Sequence, residues 1–330
     1  MKDEGPFLLE WVAYHRLIGV NDILVFTNDC SDGTDQMLER LDEMGVLRHY
    51  PNPAFMTGRT KYHLQVIRYA NGLPRLRRSD WVVSLDVDEF ICVNAGQGRL
   101  EDLFEATDDA NMIVMNQHNF GHGGVERFED RLLIDQFRYA WDKETPYHRR
   151  INRRGTKTLT HRGANPREWH NHSPVFAPGD VAGVRPVNGS GSPLPPGADL
   201  TSDIKSLQAP HYGFDLVQLN HYALRSVESF LLKLARGNAN HPDEGYDMSY
   251  WRRYDHNDLR DDNIARWVVP VAQYRDELLK DPELGRLHAA AVARSKDKIA
   301  ELRAAPAIDQ LLRRIDRFRR DNPGVMAAGA

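Results

Sequence analysis

Trp81-Val82-Val83-Ser84-Leu85-Asp86-Val87-Asp88-Glu89-Phe90 is the stretch on which the reading of this chain turns. Val82, Val83 and Leu85 form a short, β-branched apolar run, which reads as a buried strand. The run ends in three carboxylates within four residues, Asp86, Asp88 and Glu89. Acids this close repel one another unless something positive neutralises them. Asp86 and Asp88 point the same way if the backbone is extended, or converge through a turn on one hard cation. The competing reading is an acidic turn with no ligand. In an open α/β sheet the carboxyl ends of the strands are where ligands bind.

Upstream, residues 6–18 have a helical pattern, with Pro6 suited to the first turn and Gly19 to the end. Ile23-Leu24-Val25-Phe26 reads as a strand, followed by the small, polar turn Thr27–Thr34. Thr34 or Asp32 can cap a helix over about 35–44 that stops at Gly45. Val46–Tyr50 reads as a strand and 60–71 as a helix. Helix and strand alternating in this way predict a mainly parallel sheet covered by helices. Such a sheet normally begins with a strand before its first helix, and only Met1–Glu4 stand there. The expectation is a very short first strand or a coding start further upstream, and that strand would wall the ligand pocket.

Downstream, Met112–Met115 reads as a strand, and Phe120–Glu126 as a glycine-bearing turn. Arg149, Arg150, Arg153, Arg154, Lys157 and Arg162 form a basic segment suited to a phosphate or an anionic acceptor. For any one of them a solvated basic face is the plainer reading. Residues 187–203 read by composition as a flexible or lid-like loop. Leu219–Tyr222 closes a short strand before a helix at about 226–236. Charged helices follow, including 283–303 and 307–320, and the end is a loose tail.

At 330 residues the chain suits one large domain, or a domain with an appendage. No run approaches the roughly 18 apolar residues of a membrane-spanning helix. The charged start, Met1-Lys2-Asp3-Glu4, is not a signal peptide. A formal net charge of −4 argues against nucleic acid as a partner. Cys30 and Cys92 are too few for a disulfide framework and read as reduced thiols in a cytosolic protein.

Three features line up: the acidic turn at 28–32, the acids at 86–89, and His221, each after an expected strand. Two carboxylates and an imidazole can ligate Mn²⁺ or Mg²⁺, which leave other positions for water or phosphate. On this reading Asp86, Asp88 and His221 hold the metal, with room for a diphosphate.

The same residues carry a family resemblance. Lys2-Asp3-Glu4, with Glu10-Trp11 and Tyr14-His15, resembles the opening of family-2-like glycosyltransferases, related to the family-92-like group. Asn28-Asp29-Cys30-Ser31-Asp32-Gly33-Thr34 is similar to their Asn-Ser-Asp-Gly-Thr turn. Asp86-Val87-Asp88-Glu89-Phe90 is similar to their Asp-x-Asp metal motif. Asn220-His221-Tyr222, with Ser226, Phe230, Lys233 and Gly237, resembles a later block. Asp3 departs from the usual asparagine.

The resemblance implies a GT-A fold over about 1–237, with a helical extension over 238–330. It implies transfer of a sugar from a nucleotide donor, UDP-linked and inverting, to a glycan or lipid-linked acceptor. A bacterial surface or capsular glycan is the expected setting. The expected location is the cytoplasm, including peripheral contact at the inner face of the membrane. Asp29 and Glu4 are assigned to the nucleotide end, and Lys157 and Lys233 to the diphosphate beside Asp86. For Glu4 a plain helix-terminus acid, and for Asp32 a plain helix cap, are equally open.

An inverting transferase needs a base for the acceptor hydroxyl. Glu126 is the first candidate, then Glu89, with Glu168 behind. Trp169-His170-Asn171-His172 offers a His-x-His spacing for a metal or a sugar-lining surface. His118 and His122 read as polar loop residues. Trp141, Trp169, Tyr222 and Trp251 read as core, with stacking on sugar as the alternative. Two rivals remain: a metal-dependent nucleotidyltransferase, and a non-catalytic or degenerate sugar- or nucleotide-binding protein.

Overall fold

The computed structural model describes residues 1–58, 61–144, 153–237 and 247–322. They divide into two compact units. One comprises Met1–Asn52, Asn119–Asp142 and Tyr222 onward; the other comprises Pro53–His118 and Lys143–His221. Arg149, Arg150, the 237/238 boundary's distal side and the expected tail after Asn322 lie outside the described residues, as does the side chain of Arg153.

In the first unit the helix Gly5–Ile18 is buried nearly all round, because Phe7, Leu8, Leu9, Trp11, Val12, Tyr14 and Ile18 leave it no polar face. The helices Val268–Leu278 and Pro282–Arg303 pack against it. The helix ends at Gly19, whose φ of 113° suits a residue without a Cβ. Leu24–Thr27 pairs in parallel with Arg48–Pro51 as a separate two-stranded sheet. Met1 bonds to both Phe26 O and Asn28 N, as a parallel neighbour of Thr27 would. Val227–Arg236, Met248–Tyr254 and Pro306–Asp321 share a second apolar cluster around Phe230, Trp251 and Ile315. No described helix is long and apolar enough to cross a membrane.

The second unit is built on a seven-stranded sheet. Its order is Trp81–Val82, Arg153–His161, Met112–Asn119, Val217–His221, Glu89–Val93. Pro186–Asn188 lies beside Met112–Asn119 in parallel, and Ser206–Gln208 lies beside Arg153–His161 antiparallel. Arg153–His161 runs antiparallel to both Trp81–Val82 and Met112–Asn119, and Val217–His221 runs antiparallel to Glu89–Val93. The expected mainly parallel sheet is therefore corrected to a mixed one in an α/β chain with a helical C-terminal region. Arg153–His161 and Val217–His221 enter late in the chain and pair antiparallel, and antiparallel neighbours need no crossover helix between them.

Residues 187–203 are not a loose lid. Leu194 and Leu200 sit in the core cluster with Met112, Val114 and Phe176. Asn188 Oδ1 accepts from the backbone of Ser190 and Ser192 and fixes the turn. The Gly, Ser and Pro content that suggested looseness serves tight turns.

Candidate functional site

The acids at 86–89 do not cap a buried strand as expected; they precede one. Only Trp81–Val82 is strand before them, and Val82, Val83 and Leu85 are half-buried. The fully buried strand is Glu89–Val93, which carries Phe90, Ile91 and Cys92 inward. The connection folds as a turn: Glu89 N–H donates to Asp86 O at 3.0 Å. The Glu89 carboxylate returns the contact, its Oε2 accepting from Asp86 N–H at 3.0 Å. Glu89 thus staples the turn that presents Asp86 and Asp88.

Lys157 enters this turn from the strand Arg153–His161. Its Nζ is 3.1 Å from Asp86 Oδ2 and 3.5 Å from Glu89 Oε2. It also donates to Asn171 Oδ1 at 2.8 Å. Three strand steps separate Lys157 from Glu89 in the sheet order, or about 14 Å if the sheet were flat. The sheet curls to bring them together. Gln117, two residues beyond the Lys157 register partner Met115, fills the step between and donates Nε2 to Glu89 Oε1 at 2.9 Å. The ammonium supplies the positive partner that the carboxylate cluster required.

His221 ends the strand Val217–His221 and is the register partner of Glu89. Its Nε2 stands 3.9 Å from Asp88 Oδ2, and both side chains are almost fully enclosed. The pairing expected across some 130 residues of sequence is thus produced by one antiparallel ladder.

The electrostatics divide the acids. Burial pushes the Glu89 carboxyl up to about 8, against the lowering pull of Lys157. Burial opposes the charge on Asp86 too, as does Asp88, but Lys157 and His63 together hold that carboxyl below its ordinary range. The Asp86 side chain is 56% exposed, so water supports its charge as well. Burial disfavours the Lys157 ammonium, yet Asp86 and Glu89 win and push it up to about 12. Burial lowers His63 and His172, and Lys157 repulsion adds to both.

The remaining expected residues of this unit are placed as follows. His172 Nδ1–H donates to Thr156 O at 2.9 Å, which fixes the tautomer, and its Nε2 lies 3.4 Å from the Asn171 amide nitrogen. His170 lies 3.6 Å from Glu168. Arg154 is buried within the strand Arg153–His161, and Arg162, just beyond it, is exposed and paired with Asp80. His118 is buried within a strand, not in a loop. Trp169 is half-buried and anchored at its backbone by Asn71.

Glu4, Asp29, Glu126 and Lys233 belong to the other unit. Glu4 is buried and paired with Arg225 at 2.8 Å and with Arg236. Asp29 is exposed, in a turn with φ of 51°. The N-cap position of Thr34–Glu43 falls to Gly33, one residue after the expected Asp32, whose carboxylate accepts from the first N–H of two helices, Thr34 and Gly5, at 2.8 and 2.9 Å. Asp3, where asparagine was expected, accepts from Ser31 N–H at 2.6 Å. Glu126 pairs with Arg319. Lys233 donates to Ala223 O at 2.8 Å and lines a small cavity with Asp3, Arg225 and Arg236. His122, expected in a loop, is buried and bonded to Asp255 at 2.7 Å. Trp141, Tyr222 and Trp251 are core.

Among the described residues no three His, Cys, Asp or Glu side chains are gathered tightly enough to hold a metal ion. Asp88 and His221 fit such an ion as a pair: one hard and one borderline donor, enclosed and not in direct hydrogen bond. Asp86 is already engaged by Lys157, which suits it to contact through water. Reading the sequence missed Lys157 as the acids' own partner, and missed Gln117, Asn171 and His63. Asn171 lies within the Trp-His-Asn-His run, where the His-x-His spacing is the stronger signal. Gln117 carried no signal.

Comparison with known proteins gives a consistent picture. A family model described as glycosyltransferase family 92 matches residues 4–180. A glycosyltransferase family 92 protein of Ricinus communis is 26% identical over 132 residues, covering 38% of this chain and 22% of that protein. One of Oryza sativa subsp. japonica is 29% identical over 93 residues, covering 28% of this chain and 15% of that protein. The alignments thus span about a fifth or less of each relative's length. Both relatives are from plants, so they add nothing to the bacterial setting expected above.

Proposed function

The chain belongs to glycosyltransferase family 92, and from that premise we propose that it moves a sugar from a nucleotide-sugar donor to a glycan or lipid-linked acceptor. The observation that carries the reading is the enclosed Asp88–His221 pair beside the Lys157–Asp86–Glu89 cluster. A GT-A architecture is proposed with it, on the order of the quoted motifs. The donor is proposed to be UDP-linked and the transfer inverting.

A sugar–diphosphate bond breaks with positive charge growing on the sugar and negative charge on the leaving diphosphate. Asp88 and His221 would hold Mn²⁺ or Mg²⁺, with Asp86 through water; the ion, when bound, supplies charge neutralisation to the diphosphate. Lys157 keeps Asp86 ionised and aimed, and Glu89 keeps the turn closed. The acceptor's proton needs a carboxylate. Of the two carboxylates named for this, Glu89 is buried, held by Asp86 N–H and Gln117 and pushed up to about 8, so Glu126 is the base proposed; Glu126→Gln should lower kcat while leaving donor affinity intact.

The test is a donor screen that follows nucleoside diphosphate release with Mn²⁺. Expected are release of diphosphate and sugar together, loss on chelation, and a fall of roughly 100-fold or more in Asp88→Asn and His221→Ala. Pyrophosphate release would instead establish a nucleotidyltransferase. Donor binding that is untouched by Asp88→Asn and gives no turnover would leave a binding protein.

A further inference from the structure

We propose that the short helices over residues 54–78 form a docking surface for an anionic lipid bilayer. Residues 53–79 contain six Lys or Arg and no Asp or Glu, in a chain with 47 acids over 330 residues. At the average density of acids several would fall there, so the segment itself is cleared of negative charge. Arg59 lies outside the described residues; Lys61, Arg68, Arg75, Arg77 and Arg78 are exposed. The last three gather at one end, on the five-residue helix Pro74–Arg78, and form a dense patch of positive charge.

The second observation is apolar. Met56 is 91% exposed, Phe55 is 54% exposed and Tyr69 is 45% exposed, on the helices Ala54–Thr57 and Tyr62–Gly72. Three of the five large hydrophobic side chains found exposed among the described residues therefore fall in this segment. The rings of Phe55 and the half-buried Tyr62 lie 6.4 Å apart, so two of the helices present aromatic rings side by side. The helix Tyr62–Gly72 buries only Gln65 completely, although it carries Leu64, Val66 and Ile67. The three helices pack successively on one another.

Exposed aromatic and Met side chains amid arginines match the interface of a bilayer, where rings and thioethers enter the headgroup region and cations meet lipid phosphates. An acidic polysaccharide would match the arginines but would leave Phe55 and Met56 in water. The charge and the apolar residues together favour lipid. The surface is distinct from the Asp88–His221 pair, and the proposal stands whether or not the reaction is the one given above.

The experiment is co-sedimentation of the full chain with phosphatidylcholine vesicles, with and without phosphatidylglycerol. Expected is binding only with the anionic lipid, weakening as salt rises. The Arg75→Glu/Arg77→Glu/Arg78→Glu variant should bind roughly 100-fold more weakly or worse, since each cation near the surface contributes about a factor of five and each Glu adds repulsion. Met56→Asp should also weaken binding, with the unfolding midpoint and nucleoside diphosphate release unchanged. Equal binding to neutral vesicles would overturn the proposal. So would vesicle binding that both variants retain, or capture by an acidic polysaccharide such as alginate without vesicle binding.

Discussion

Replacing Lys157 by Met removes the ammonium that separates Asp86 from Glu89 while keeping an unbranched side chain in a 1% exposed site. At 3.1 Å, and with an effective dielectric constant near 20, the attraction of Lys157 for Asp86 is about 5 kcal/mol gross. Two things reduce the net effect. Asp86 is 56% exposed, so water replaces much of its lost partner. The substitution also removes the cost of burying a cation. Adding back the lost bond to Asn171, the expected destabilisation is about 2 kcal/mol near neutral pH, below the ~3–5 kcal/mol of a wholly buried pair.

The pH dependence is the sharper part. Glu89 sits at about 8 against an ordinary 4.5. An acid held above its ordinary value binds its proton more tightly when folded. The stability it lends is therefore complete below about pH 4.5 and is lost, at about 1.4 kcal/mol per pH unit, as pH rises to about 8. Beyond about 8 the wild type has paid in full. In Lys157→Met the carboxyl has lost its cation and titrates higher still, so the variant continues to lose stability where the wild type levels off. The cost of the substitution should be flat from about pH 5 to 8 and grow by about 1 kcal/mol per unit above that. Urea unfolding of both proteins across this range measures it. A cost that grows between about pH 4.5 and 7 and then levels would mean that Glu89 is an ordinary ionised partner of Lys157, and the reasoning would fail.

Other predictions follow from single contacts. In Gly155→Ala the new Cβ falls 2.2 Å from Gln117 Oε1, so the flexible Gln117 swings off Glu89; stability should drop by only about 1 kcal/mol, while donor turnover falls. Gly189→Ala meets the backbone oxygens of Gly213 and Val217 at 2.3 and 2.5 Å, which cannot swing aside, and should cost about 3 kcal/mol or more by urea unfolding. Glu4→Gln breaks the pairs with Arg225 and Arg236 and leaves a buried guanidinium short of charge, for about 3 kcal/mol. Burial raises Glu10 to about 7 despite bonds from Ile134 and Leu133, so wild-type stability is lost as pH rises from 4.5 toward 7. Glu10→Gln should therefore be costly near pH 5 and regain about 3 kcal/mol relative to wild type by about pH 8.

The parts of the fold that were legible are those whose signal is local. Gly5–Ile18, Leu24–Thr27 and Thr34–Glu43 fall within a residue or two of the expected positions, because proline, glycine and apolar period mark them directly. Pro282–Arg303 and Pro306–Asp321 were legible for the same reason. Strand direction is not local. Alternating helix and strand favoured a parallel sheet, but Arg153–His161 and Val217–His221 enter far along the chain and lie antiparallel to their partners. Nothing in either sequence states which neighbour it joins.

The same limit explains what was read of the site. Three acids in four residues announced a missing positive charge, and the inference that something must neutralise them was sound. Its identity was not available from the turn itself. The sequence distance from Glu89 to Lys157 is 68 residues, and the curl of the sheet alone converts it to 3.5 Å. Lys157 had been noticed for its charge and assigned to the donor's diphosphate. Buried to 1% exposure and spent on three acceptors, it is committed to the protein's own carboxylates. The consequence reaches the metal reading: Asp86 is already neutralised by Lys157, so the proposal gives the larger share of a cation's binding to Asp88, with His221 beside it. Separate Mn²⁺ titrations of Asp86→Asn and Asp88→Asn weigh the two carboxylates. Loss of Mn²⁺ affinity should be the larger in Asp88→Asn; the reverse order would return Asp86 to the metal and remove Lys157 from it.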